Sequence, residues 1–155
     1  MTKKAKKDEP ELAASLANFL CFAVYSTNLA FNRAYKPFLD ELGITYPQYV
    51  TLIALSEQDG QTVSELGEKL FLESSTLTPM LKRLEGMGYV TRKRGVEDER
   101  EVRIGLTKAG RKVFEQAFCT RGPLIEATGL DSEAFVRLQR DLVTLRNNLL
   151  KANAR

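Results

Sequence analysis

The chain has 155 residues, a formal net charge of +3, no histidine and two cysteines, Cys21 and Cys119. That length suits one domain with a real core. Without histidine, histidine-dependent triads are excluded and two thiols cannot build the usual zinc sites, so no metal and no cofactor is expected. Two cysteines are also fewer than a secreted scaffold of this size usually carries.

The Lys-rich start, residues 1–8, reads as a disordered basic tail. It precedes a run without charge from Leu12 to Asn32 and so imitates a signal peptide. The acidic break "DEPE", the polar Ser15, Asn18, Ser26, Thr27, Asn28 and Asn32, and the lack of a small-residue cleavage site argue against that. A cytoplasmic protein without membrane contact is expected. Asp8, Glu9 and Pro10 suit the entry of a first helix. Its apolar positions cover most sides, with a seam of Asn18, Cys21, Tyr25, Asn28 and Asn32 between the stripes. A helix apolar on most sides is surrounded by protein, and a chain this small needs a second copy for that. Pro37 bends or ends the segment, and Gly43 closes it.

Thr45 caps a second helix that accepts Pro47 in its first turn and stops at Gly60. Thr62 and Glu65 form a capping box for a short third helix buried through Val63, Leu66 and Leu70. A fourth, "ESSTLTPMLKRLEGMG", turns Leu77, Leu81 and Leu84 inward. The period then switches to two: "YVTRKR" and "EVRIGL" read as strands joined by "GVEDER". Thr107 caps a helix that ends near "RGP". Asp131 caps the last one, whose Phe135, Leu138, Leu142, Leu145 and Leu149 form a coiled-coil-like seam.

Two short helices at a tight turn followed by a hairpin make a winged helix-turn-helix. Ser75, Thr76, Thr78, Lys82 and Arg83 form the outer face of the fourth helix, where hydroxyls and cations reach base edges and phosphates. Pro79 falls in the first turn or two, with some distortion. Arg92, Lys93, Arg94, Arg100 and Arg103 arm the hairpin, whose tip suits a minor groove, and Asp98 supports the loop before Arg100. Ten basic against five acidic residues between Lys82 and Lys112 make this the positive part of the chain. Glu97, Asp98 and Glu99 oppose phosphate unless some pair with the wing arginines. Double-stranded DNA is the expected partner.

The stretches "NFLCFAVYS", "GITYPQYVTLIAL" and the winged segment through "LTKAG" resemble the MarR family of bacterial regulators, more narrowly its organic-hydroperoxide-sensing OhrR branch. The resemblance implies a mainly α fold with a small β-hairpin wing. Residues 9–43 and 108–155 would form a helical dimerisation region and 44–107 the winged helix-turn-helix, in one compact chain. It implies a homodimeric repressor, not an enzyme, on a palindromic operator. Cys21 would be the redox-sensing thiol, with Tyr35 and Tyr46 of the partner subunit donating to it and Tyr25 one turn away. A second cysteine implies the two-cysteine type, with Cys119 closing an intersubunit disulfide.

The alternative for Cys21 is a small core hydrophobe. Its place on the polar seam favours reactivity, because a phenol donating to sulfur stabilises the thiolate. Two other functions compete: a repressor released by a small phenolic ligand, and a thiol peroxidase, for which a winged segment has no use.

Overall fold

A computed structural model of the protein describes residues 15–95, 98 and 100–154. The basic tail, the Asp8–Pro10 helix entry and the wing carboxylates Glu97 and Glu99 lie outside the described residues. A 3-10 turn, Leu16–Asn18, precedes α1 (Leu20–Glu41). Phe19 between them is extended, with φ −91° and ψ 114°. The polar seam therefore begins at Cys21, and Asn18 belongs to a separate turn. α1 continues through Pro37, which removes one backbone donor without ending the helix. It closes where the Leu42 and Ile44 amides donate to Leu39 O and Gly43 takes φ +68°.

The next elements follow their caps. α2 (Tyr46–Glu57) starts at Thr45, whose hydroxyl accepts from Gln48 N at 3.4 Å while Gln48 Oε1 accepts from Thr45 N at 2.8 Å. α3 (Val63–Leu70) starts with the same reciprocal pair between Thr62 and Glu65, at 3.1 and 2.7 Å. The Thr62 amide donating to the Glu65 carboxylate, and next the Thr62 hydroxyl, hold that carboxyl below the usual carboxylate range. α4 (Ser74–Gly86) buries Leu77, Leu81 and Leu84 completely, against Leu52, Leu55, Leu66 and Ile104. Each such leucine contributes about 2 kcal/mol of apolar transfer.

A short strand β1 (Gln61–Thr62) joins β2 (Val90–Arg94) and β3 (Val102–Leu106) in an antiparallel sheet of order β1-β3-β2. Two residues are too few to show a period of two, so the sequence announces only the hairpin. Gln61 pairs with Ile104, and its buried side chain donates to Ala54 O at 2.8 Å and Gln58 O at 2.6 Å. Asp59 fastens the other end of the hairpin, accepting from Leu106 N at 2.8 Å.

Thr107 caps α5 (Lys108–Phe118). The helix ends at Phe118, near "RGP" as expected, but those residues do not start a loop: they open a further helix, α6 (Arg121–Ala127), after a turn at Cys119 and Thr120. Pro123 falls in its first turn, where the missing amide has no intrahelical acceptor. α7 (Ser132–Asn153) is capped by Asp131, which accepts from Ala134 N at 2.8 Å.

The core belongs to α2–α5 and the sheet. α1 contributes Leu39 to it, and no described residue of α7 is buried. Leu20, Val24, Leu29 and Phe31 on α1, and Val136, Leu138, Leu142, Leu149 and Leu150 on α7, stay exposed. The turn between α3 and α4 rests on Phe71, which holds φ +57° although its side chain disfavours that region. The Arg146 guanidinium of α7 stacks 4.4 Å from the Phe71 ring centroid, linking the last helix to this turn.

Candidate functional site

Two chemistries lie on different faces. The first is a phenol cluster. Tyr35 of α1 packs on Tyr46 and Tyr49 of α2, with ring centroids 5.1 and 5.9 Å away, and Tyr46 and Tyr49 are 6.4 Å apart. Cys119 and Arg121 both lie close enough to Tyr49 to act on its ionisation, and Arg121 acts on Tyr35 as well. Arg121 also sits 5.7 Å from the Phe118 ring centroid. One chain thus gathers three phenols, one thiol and one guanidinium from α1, α2 and the α5–α6 turn.

Burial raises the pKa of Tyr35 despite the opposing charge of Arg121. Burial, and then Tyr35, raise Tyr46. Tyr49 is pushed up to about 12, chiefly by burial and then by its two phenol neighbours. At neutral pH all three keep their protons and remain hydrogen-bond donors. The neutral phenol is the form favoured by folding, so Tyr49 contributes stability that is full below its ordinary value of 10.0 and is lost as pH rises through about 12. Absorbance titration of tyrosinate should show a last step near pH 12 that Tyr49→Phe removes, and the variant should unfold less steeply between pH 10 and 12.

Cys21 lies apart from this cluster. It occupies the first turn of α1 and is exposed, with Tyr25 one turn further along and also exposed. The 14 residues from Cys21 to Tyr35 correspond to roughly 21 Å of helix rise. The predicted Cys21 thiol and the phenols are therefore not brought together within one chain, whereas Cys119 lies within electrostatic reach of Tyr49. Tyr49 and Arg121 escaped the sequence reading. Tyr49 carried a usable signal, because it stands at i+3 from Tyr46 on one helix face; Arg121 carried none.

The second chemistry is on α4 and the hairpin. Ser75, Thr76, Pro79, Lys82 and Arg83 are exposed opposite the buried leucines, and Thr78 is half-buried. Among the described residues Lys82 and Arg83 form no ion pair. In the wing, Asp98 Oδ1 accepts from Arg100 N at 2.9 Å, and Glu101 pairs with Arg103 at 3.0 Å. Arg92 pairs with Glu85 of α4 at 3.5 Å.

Comparison with known proteins places this architecture. A family model described as transcriptional regulator SarA/Rot matches residues 33–117. The organic hydroperoxide resistance transcriptional regulator of Bacillus subtilis (strain 168) is 44% identical over 138 residues, which span 89% of this chain and 94% of that protein. The chain belongs to the MarR-type, OhrR-like transcriptional regulators. The structure of reduced AbfR bound to DNA shares 40% identity with this regulator at a TM-score of 0.68, covering 84% of this chain and 94% of that one. Overoxidised AbfR bound to DNA shares 38% at a TM-score of 0.67, covering 86% and 94%. The expected mainly α fold with a winged helix-turn-helix is thereby established. Among the described residues no helix is long and apolar enough to cross a membrane.

Proposed function

We propose that this regulator is a homodimeric, thiol-switched repressor that holds a palindromic operator when reduced and releases it on oxidation by organic hydroperoxide. The observation that carries this reading is the separation of Cys21 from the phenol cluster along one continuous helix, with Cys119 near Tyr49 of that cluster instead. A disulfide needs Cα atoms about 4.4–6.8 Å apart. Cys21 is too far along α1 to meet the Tyr35 end of its own chain, so its partners are Tyr35, Tyr46 and Cys119 of a second copy. The exposed apolar rows on α1 and α7 supply a surface for that copy. The likeness to a hydroperoxide-resistance regulator and to reduced AbfR on DNA supports the signal and the partner.

The chemistry balances without a cofactor. The Cys21 thiolate, steadied by neutral phenols, attacks the distal peroxide oxygen. An S–O bond forms, the O–O bond breaks, and the alkoxide leaves as alcohol after taking a proton. The Cys119 thiolate then attacks the sulfenic sulfur; an S–S bond forms and hydroxide departs as water. Closing that bond draws α1 of one copy toward the α5–α6 turn of the other and respaces the two winged lobes. Half-sites about one DNA turn apart then fit only one α4 helix at a time. On each lobe Ser75, Thr76, Thr78 and Arg83 read from the major groove, Lys82 and the Pro79 turn pack on the backbone, and Arg92, Arg94 and Arg100 meet the DNA from the wing.

The test is a DNA-binding titration at fixed salt, with and without cumene hydroperoxide, run beside non-reducing electrophoresis. A crosslinked dimer that has lost specific DNA is expected. Specific binding unchanged in a fully crosslinked sample would overturn the reading.

A further inference from the structure

The hairpin changes chemistry along one face. Val90, Arg92 and Arg94 alternate onto the same side of β2; Val90 is buried, Arg92 half-buried and Arg94 exposed. Val102 and Arg100 line the same space from the other arm, and Glu85 closes it from the last turn of α4. Together they enclose an open notch of about 480 Å³ between α4 and the hairpin, room enough for a phosphate group.

Arg92 is not settled there. Its Nη1 stands 3.5 Å from the Glu85 carboxylate, long for a guanidinium–carboxylate pair. Its Nε is screened from solvent and has no acceptor among the described residues, though 22% of the side chain remains exposed. A screened donor without an acceptor is unfavourable, and a second anion in the notch would let the guanidinium turn onto it. Topology indicates which anion. With α4 in a major groove and the hairpin in the adjacent minor groove, the strand dividing the two grooves has to cross between them.

We propose that the notch of Glu85, Arg92, Arg94 and Arg100 is a seat for one phosphodiester of that crossing strand, and that Glu85 is its built-in competitor. In the free protein Glu85 holds Arg92. On DNA the phosphate takes the guanidinium, and the Glu85 carboxylate, already 42% exposed, turns to solvent. This rests on the DNA-binding reading above and adds a residue that opposes binding to every sequence alike. Its effect is to keep non-specific affinity low, leaving more of the discrimination to base contacts from α4.

The experiment uses the full chain and a mixed-sequence duplex of about 30 base pairs, titrated by fluorescence anisotropy from about 50 to about 200 mM salt. Arg92→Gln should bind several-fold more weakly and lower the log–log salt slope by about 0.9 for each engaged lobe. Arg92→Lys, which keeps the charge, should retain most of the slope. Glu85→Gln should bind several-fold more tightly, and that gain should vanish in the Arg92→Gln background. Thermal melting of each variant checks its fold. An unchanged slope in folded Arg92→Gln overturns the seat, as does a Glu85→Gln gain that survives the loss of Arg92. Failure of the underlying reading looks different: the wild type itself then shows no salt-dependent binding to duplex.

Discussion

Cys21→Ser protein is expected to keep its operator in an excess of organic hydroperoxide that strips the wild type. Serine is close to cysteine in size and can keep a hydrogen bond to a phenol at this position on the first turn of α1, so the fold and the reduced-state affinity should stay as they are. Only the oxidisable sulfur is removed. The wild type should lose roughly a thousandfold in affinity on oxidation, about 4 kcal/mol, and the variant less than twofold. Anisotropy on operator DNA at one stated salt concentration reads both. A Cys21→Ser protein released as completely as wild type would place the trigger elsewhere, a bound small molecule being the first alternative to examine.

Cys119→Ser separates two ways in which oxidised Cys21 can act. If the negative charge of a sulfinate expelled DNA, the variant would still respond, and more readily, because nothing intercepts the sulfenic acid. If the crosslink does the work, the variant oxidises and stays bound. The second outcome is expected. Overoxidised AbfR has been solved on DNA, so in that relative oxidation and DNA binding are compatible. Mass spectrometry of oxidised Cys119→Ser, taken alongside the binding curve, reports whether the sulfur was consumed.

The largest stability effect is expected at Gly110, in the first turn of α5. A Cβ there would collide with the Tyr89 carbonyl and approach Leu106 Cδ1 at 2.9 Å. The obstacle is backbone, and that backbone is already engaged: Tyr89 O accepts from Thr107 N at 3.1 Å, and Thr107 Oγ1 accepts from Gly110 N at 3.0 Å. Neither partner can move without loosening the join between the hairpin and α5. Gly110→Ala should cost about 3 kcal/mol, the upper range of overpacking, and lower the melting temperature by roughly 10 °C. Gly86→Ala is the contrast. It sits at the end of α4 with nothing within 4 Å of its added Cβ, and alanine favours helix, so it should be neutral or slightly stabilising. Equal melting temperatures for Gly110→Ala and wild type would show that the hairpin–α5 join is far softer than its contacts imply.

Several features needed no tertiary information. The Thr62–Glu65 box, the caps Thr45, Thr107 and Asp131, and the buried trio Leu77, Leu81 and Leu84 follow from spacing alone, because a helix start and a helix face are local properties. The hairpin announced itself by its change of period. The long apolar rows of α1 and α7 signalled a missing surface before any fold was known.

Other features depended on the fold. β1 exists only because Gln61 and Thr62 meet β3, and two residues have no periodicity of their own. α6 was hidden because "RGP" reads as a stop, while Pro123 is harmless in a first turn. Phe71 takes a left-handed conformation that its side chain disfavours, and the turn it closes and the Arg146 stacking above it offset that preference. Tyr35, Tyr49, Cys119 and Arg121 come from elements far apart in the chain. Local pattern fixes what a segment is, through backbone geometry and side-chain period; which segments share a site depends on long-range packing, and no window of neighbouring residues carries that.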